Sequence, residues 1–166
     1  MKRSLKTFLF LITIFLFISE STQTYAQAKW VVGGRLGLSI YSGGGGSSAG
    51  LQFGPMAEVL FNRNMAVGTE FNINTQGGTP IEWANQFKYY FDVSQSNIKP
   101  YADGGFNLFF ITGGPYFGIR FGGGANFPIA PNLYIPADLQ LGPVFASGST
   151  VFYIAITSGI RYEIPN

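Results

Sequence analysis

From Lys29 onward the chain alternates: residues of one parity are aliphatic or aromatic, and those of the other are small, polar or charged. A period of two over ten or so residues is the signature of a β-strand with two unlike faces. Eight such stretches follow one another. Strand 1, Lys29–Tyr41, sets Trp30, Val32, Leu36, Leu38 and Ile40 against Arg35 and Ser39. Strand 2, Leu51–Phe61, sets Leu51, Phe53, Ala57, Val59 and Phe61 against Gln52, Met56 and Glu58. Strand 3, Met65–Asn74, sets Met65, Val67, Phe71 and Ile73 against Glu70, Asn72 and Asn74. Strand 4, Ile81–Phe91, sets Ile81, Trp83, Phe87, Tyr89 and Phe91 against Glu82, Gln86 and Lys88.

The second half repeats the design. Strand 5, Tyr101–Ile111, opposes Ala102, Phe106, Leu108 and Phe110 to Asp103 and Asn107. Strand 6, Tyr116–Phe127, opposes Phe117, Ile119, Phe121 and Phe127 to Arg120 and Asn126. Strand 7, Leu133–Phe145, opposes Leu133, Ile135, Leu139 and Leu141 to Asp138 and Gln140. Strand 8, Val151–Ile164, opposes Phe152, Ile154, Ile156, Ile160, Tyr162 and Ile164 to Tyr153, Arg161 and Glu163. Every polar face carries a charge and no apolar face does. A charge facing lipid at mid-membrane would cost about 2–4 kcal/mol. The expected fold is an eight-stranded antiparallel up-and-down transmembrane β-barrel over residues 29–166, with lipid outside and a polar lumen.

The strand ends carry candidate aromatic girdles. Trp30, Phe61, Phe91, Phe127 and Tyr162 belong near the periplasmic ends, and Trp83, Phe110, Phe117 and Phe152 near the outer ends. Turn chemistry marks Asn62–Asn64, Asp92–Pro100 and Ala130–Asn132 as periplasmic connections. Ser42–Gly50, Thr75–Pro80, Thr112–Pro115 and Ala146–Thr150 are the outer loops. They are too short for a protruding adhesin or a large receptor. Three prolines, Pro55, Pro136 and Pro143, fall inside strands and predict bulges or loosened pairing. Asn85 on the lipid face predicts a bulge or a one-residue register shift in strand 4.

The residues before Lys29 follow a different rule. A basic start (Lys2, Arg3, Lys6), the apolar run Phe8–Ser19 and Ala26-Gln27-Ala28 form a secretory signal over residues 1–28, cleaved after Ala26 or Ala28. The run is short for a membrane anchor, which needs roughly 17–25 apolar residues. The whole chain has 10 Lys and Arg against 8 Asp and Glu. Removing Lys2, Arg3, Lys6 and Glu20 leaves 10 − 3 = 7 against 8 − 1 = 7, a net charge of zero. Nucleic acid is therefore no expected partner. With no Cys there is neither a disulfide nor a lipid-anchored thiol.

Strand 8 ends Thr157-Ser158-Gly159-Ile160-Arg161-Tyr162-Glu163-Ile164, a polar–x–Gly–x–x–aromatic–x–hydrophobic run. Together with the eight alternating strands, it resembles the small eight-stranded outer-membrane barrels of the OmpA/OmpX-like porin-family superfamily. That resemblance implies an outer-membrane location. It also implies that Gly159, Tyr162 and Ile164 are read by the barrel-insertion machinery during assembly. Members often end on the aromatic residue, whereas this chain continues to Pro165-Asn166.

Catalytic chemistry is scarce. No His is present, which removes the commonest general base and transition-metal ligand. Neither Gly43–Gly46 nor Gly122–Gly124 has the GxxxxGK[ST] pattern of a phosphate loop. The first reads as an outer loop; the second, with Gly118, leaves small inward positions on strand 6. No cofactor or metal is expected, and the chain reads as a non-enzyme. Inward charges are Arg35, Lys88, Arg120 and Arg161 against Glu58, Glu70, Glu82, Asp103, Asp138 and Glu163. Up–down topology predicts two pairs, Lys88–Asp103 on adjacent strands and Arg120–Asp138 near mid-height. Inward Tyr41, Tyr90, Tyr101, Tyr116, Tyr134 and Tyr153 are large enough to plug a narrow lumen. Three functions stay open. One is a structural or surface-interacting envelope barrel whose partner, besides outer-membrane lipid, is unspecified. Another is a narrow channel, or a lateral path for apolar solutes as in the OmpW-like relatives. The third is a soluble lipocalin-like carrier with the faces reversed.

Overall fold

Alternation, turn residues and strand length close on themselves in the computed structural model, which describes residues 28–43, 46–76, 80–94, 96–111, 114–146 and 148–165. The strands are β1 (Lys29–Gly43), β2 (Gly46–Leu60), β3 (Met65–Asn74), β4 (Ile81–Tyr90), β5 (Lys99–Ile111), β6 (Gly114–Ala130), β7 (Leu133–Ala146) and β8 (Ser149–Glu163). Each pairs antiparallel with its sequence neighbours, and β8 pairs with β1 to complete a closed barrel. This is an up-and-down transmembrane β-barrel. Residues 1–27, which hold nearly all of the expected signal, lie outside the described residues.

The faces separate as the alternation requires. Leu36 (59 % exposed), Ile156 (61 %), Phe53, Val67, Phe87, Phe121 and Leu139 point outward, while Arg35, Glu58, Glu70, Asn72 and Gln140 are buried inside. An apolar surface running round every strand is far larger than a soluble protein exposes. It reverses the inside-out arrangement that a lipocalin-like carrier needs.

One end of the barrel holds Lys29 and Glu163 and is called here the terminal end; the opposite end is the far end. At the terminal end Asn62 caps its turn, its Oδ1 accepting from the Asn64 and Met65 amides, both at 2.8 Å. Asn132, at φ 60°, makes the tight β6–β7 turn, a conformation Asn tolerates better than most residues. At the far end the expected loops shrink. Ser42–Gly50 is mostly strand: Tyr41, Ser42 and Gly43 pair with Ser48, Ser47 and Gly46. β6 likewise begins at Gly114 and β8 at Ser149. Backbone pairing continues there without an apolar side-chain pattern to announce it.

Each internal proline loosens the ladder on one side only. Pairing skips Gly54–Pro55 against Phe71–Asn72, Ile135–Pro136 against Gly159–Ile160, and Gly142–Pro143 against Ile119–Arg120. The opposite side of each proline stays paired, with Gly34, Asn126 and Phe152. Register resumes unshifted, so none of the three makes a bulge. The bulge lies instead at Ile129, between Pro128 and Ala130, close to a strand end where one unpaired residue disturbs little. Asn85 causes no bulge and no shift either: β4 alternates without interruption and Asn85 sits opposite Thr69. Beside it Trp83 Nε1 donates to Thr69 Oγ1 at 2.9 Å and the Thr69 hydroxyl donates to the Ala84 carbonyl at 3.3 Å, whereas Asn85 Nδ2 has no partner among the described residues.

Candidate functional site

The lumen is built in three layers. Toward the terminal end, Val31, Leu60, Ala66, Tyr90 and Tyr101 pack together, the two tyrosine rings 5.4 Å apart. Toward the far end, Phe109, Val144, Tyr153 and Ala155 pack with Tyr41, Tyr116 and Val151. There Tyr41 meets Phe109 edge-on at 5.6 Å and Tyr153 at 5.1 Å. All the inward charges except Glu163 and its partner Lys99 fill the space between. The sequence reading found the inward tyrosines and missed their apolar companions. Phe109 shares its parity with Asp103 and Asn107 and was legible on that ground.

The middle layer is a continuous ionic network. Glu58 on β2 accepts from Lys88 on β4, from Arg161 Nε at 3.2 Å and from the Tyr90 hydroxyl at 3.1 Å. Glu70 on β3 accepts from Arg120 at 3.4 Å and Gln86 Nε2 at 2.6 Å and forms an ion pair with Arg35, whose Nε lies 3.2 Å away while donating to Met56 Sδ at 3.4 Å. Glu82 holds Asn107 Nδ2 at 2.8 Å and Gln52 Nε2 at 3.1 Å, with Arg120 Nη1 at 3.6 Å. Arg35 Nη1 reaches Asp138 at 2.9 Å. Glu163, nearer the mouth, accepts from Arg161 Nη1 at 2.7 Å and from Lys99, a strand-end residue, at 3.3 Å. The cations also face tyrosine rings: Lys88 lies 4.9 Å from Tyr101, and Arg161 5.6 Å from Tyr90 and 5.4 Å from Tyr134.

Neither predicted pair forms. Lys88 and Asp103 are register neighbours, yet Lys88 turns to Glu58 and Asp103 accepts from Gln140 Nε2 at 2.8 Å. Asp138 stands opposite Gly124, four residues along β6 from Arg120, and takes Arg35 instead. The reason is geometric. Inward side chains converge on the axis of a narrow barrel, so a long cation meets strands two or three places away as readily as its neighbour.

These groups are sealed. Asn72, Glu82, Arg120 and Tyr153 are 0–1 % exposed, so among the described residues no open path crosses the middle of the lumen. Among the described residues a mouth opens at each end. The terminal mouth has about 700 Å³, bordered by Lys29, Arg63, Asp92, Lys99 and Glu163. The far mouth has about 300 Å³ and a mostly apolar lining. Glu58, Glu70 and Glu82 all spend their oxygens on cations or amides, which leaves them poor proton acceptors for a substrate.

Outside, Trp30, Phe61, Phe91, Phe127 and Tyr162 project from the terminal end, and Phe110, Phe117 and Phe152 from the far half. Trp83 is half-buried, stacked on Phe71 at 5.9 Å with an interplanar angle of 3°. Its N–H is spent on Thr69, so it does not offer that donor to a headgroup. Gly159 sits at the closing seam, where a Cβ would lie 2.0 Å from the Gly34 carbonyl oxygen. Tyr162 pairs with Val32 and Leu133, and the Ile164 amide donates to the Trp30 carbonyl at 2.8 Å.

No protein-family model matches the chain, and no curated protein does. Solved structures do. Neisserial surface protein A is similar over 81 % of this chain and 97 % of its own, with a TM-score of 0.71 and 16 % identity. The N-terminal β-barrel domain of Pseudomonas aeruginosa OprF is similar over 83 % and 100 %, with a TM-score of 0.60 and 12 % identity. Pseudomonas aeruginosa OprG is similar over 84 % and 97 %, with a TM-score of 0.58 and 9 % identity. At such identities the likeness is one of architecture, and the chain shares the fold of the small eight-stranded outer-membrane barrels.

Proposed function

We propose that the protein is a non-enzymatic outer-membrane barrel that works as a closed wall, with a structural or surface-interacting role in the envelope. The observation that carries this reading is the sealed middle layer: a buried ionic network with an apolar layer on each side. An open channel would keep such charges wet, because an unhydrated ion entering them must displace partners already bonded to one another. The outward apolar belt and the shared fold support the outer-membrane location. On the same reading, residues 1–28 direct export and are removed, and the termini face the periplasm. Gly159, Tyr162 and Ile164 then form the stretch presented to the insertion machinery, and lipid surrounds the rest.

Single-channel recording tests this. The barrel is reconstituted in planar bilayers, with folding established by a heat-dependent gel shift. The expected record is silent for folded protein. Discrete, reproducible openings from wild-type barrels would refute the closed wall.

A further inference from the structure

We infer that the inner wall formed by β5, β6 and β7 holds one monovalent cation of sodium's size among Asp103, Gln140, Tyr101 and Asp138. The balance of charge points there first. In the lumen and its terminal mouth, Arg35, Lys88, Lys99, Arg120 and Arg161 face Glu58, Glu70, Glu82, Asp103, Asp138 and Glu163, so one carboxylate is in excess. Each of the other carboxylates has a cationic side chain within 4.0 Å among the described residues, and Asp103 has none. Asp103 is buried, and its Oδ2 accepts from Gln140 Nε2 at 2.8 Å. A buried carboxylate without a counter-charge is costly.

The fold then gathers oxygens beside that charge. Gly122 stands between Asp103 and Gln140. Gly124, the next inward position of β6, stands between Tyr101 and Asp138, and Asp138 has Thr157 on its other side. Neither glycine sends a side chain into the lumen, and neighbouring oxygens lean over both. Gln140 Oε1 lies 2.8 Å from the place of a Gly122 Cβ, and the Tyr101 hydroxyl oxygen 3.0 Å from that of a Gly124 Cβ. Gln140 is only 1 % exposed. Asp103 fixes the orientation of its amide, because an ionised carboxylate only accepts. Nε2 therefore faces Asp103 and Oε1 turns over Gly122.

Gln140 Oε1, the Tyr101 hydroxyl, Asp103 Oδ1, Asp138 Oδ1 and Thr157 Oγ1 have no hydrogen-bond partner among the described residues. The amide and carboxylate oxygens only accept, and a buried acceptor without a donor is unfavourable. Water would supply hydrogens but leave the excess charge; a cation answers both. The oxygen-only donor set suits a hard ion. No three carboxylates come together as a metal-binding group among the described residues, and Asp138 Oδ2 is already 2.9 Å from Arg35 Nη1. That is too little charge for a divalent ion, whereas one monovalent cation balances the single excess carboxylate. A bare cation of this size lies about 2.3–2.6 Å from its oxygens, nearer than the roughly 2.7–3.0 Å of a hydrogen-bonded water, so oxygens sealed from solvent suit an ion better than water.

The test is urea unfolding of the full barrel in lipid vesicles at constant ionic strength, with sodium chloride exchanged for choline chloride or caesium chloride. Each titration passes through the unfolded chain, so a sealed site is loaded whatever its exchange rate. Sodium should raise the folding equilibrium constant about tenfold for each tenfold rise in its concentration once the site fills, and choline and caesium should not. Asp103→Asn removes the excess charge and keeps the side-chain shape, so its stability should be independent of sodium. Tyr101→Phe, which removes one oxygen, should weaken sodium about tenfold. Asp92→Asn, at an exposed carboxylate of the terminal mouth, should keep the full dependence. A heat-dependent gel shift establishes folding of each variant. Equal stability of the wild-type barrel in sodium and choline would overturn the proposal and leave these oxygens to a proton or to water. So would an equal effect of caesium, or sodium dependence that survives in folded Asp103→Asn. If that variant does not fold, the three salts on the wild-type barrel decide.

Discussion

Replacing Arg35 with Met separates the ionic network seen here from the pairing that topology alone suggests. Arg35 spans β1 to β3 and β7, with Nε 3.2 Å from Glu70 and Nη1 2.9 Å from Asp138, all three side chains buried. Unit charges 2.9 Å apart attract by roughly 6 kcal/mol at an effective dielectric constant near 20, and desolvation offsets much of that. The cost of Arg35→Met is set by what it leaves behind. Glu70 keeps Arg120 and Gln86, whereas Asp138 has no other cation within 4.0 Å among the described residues. An abandoned buried charge costs about 3–5 kcal/mol, a large share of the roughly 5–15 kcal/mol that holds a domain folded. Adding Asp138→Asn removes the stranded charge, so the double variant should recover part of the loss. The Arg35–Asp138 coupling is expected at about 1–3 kcal/mol, and the Arg120–Asp138 coupling below about 0.5 kcal/mol. Urea unfolding in lipid vesicles, followed by Trp30 and Trp83 emission and by gel mobility, gives each corner of the two cycles. A larger coupling for Arg120–Asp138 than for Arg35–Asp138 would refute the cross-lumen network.

Two further expectations concern the wall. Gly54→Ala places a Cβ 1.8 Å from the Phe71 carbonyl oxygen and should destabilise the barrel by about 2–4 kcal/mol. Gly34→Ala, whose Cβ has 3.6 Å to the Gly54 oxygen, should stay within about 0.5 kcal/mol, and equal losses in urea titrations would contradict the geometry. Leu36→Arg, at the middle of β1, should cost about 2–4 kcal/mol in bilayers, and Phe61→Arg, past the end of β2, about 0–1 kcal/mol. A cost independent of depth would argue against the lipid assignment of this face.

Some of this architecture is readable from residues alone, and the boundary is instructive. Strand number and face depend on a period of two, and one misplaced residue would invert a whole strand. That is why Arg35, Glu58, Glu70 and Lys88 were assignable to the inside one by one. Ion-pair partners depend on tilt, stagger and side-chain length together. No spacing encodes that Arg161 on β8 and Lys88 on β4 share Glu58 on β2. Strand ends beyond the membrane belt obey no hydrophobic pattern, so Ser47 and Ser48 read as loop while their backbones pair. The prolines were read for what they remove. What they leave intact, an unshifted register across a two-residue gap, comes from the neighbouring strand that stays bonded. The Gln76–Ser39 contact was beyond reach for another reason: Gln76 follows the end of β3, and only the fold turns it back over Ser39.

The network also bears on why a closed barrel keeps so many buried charges. Ladder hydrogen bonds tie each strand only to its two neighbours, and they weaken beside Pro55, Pro136 and Pro143. The ion pairs tie strands that never touch: β1 to β3 and β7, β2 to β4 and β8, β6 to β3 and β4. Two of the three ladder gaps flank β1, on β2 and β8, around a shallow glycine-lined groove that includes Gly34, Gly54 and Gly159. Those are the strands that Arg35, Arg161 and Glu58 brace from inside. A hydrophobic lumen of equal volume would be no less stable by area alone, but it would not specify which strand faces which across the axis. On this argument the cross-lumen pairs hold the cross-section where the ladder is weakest, and the same pairs fill the middle of the barrel.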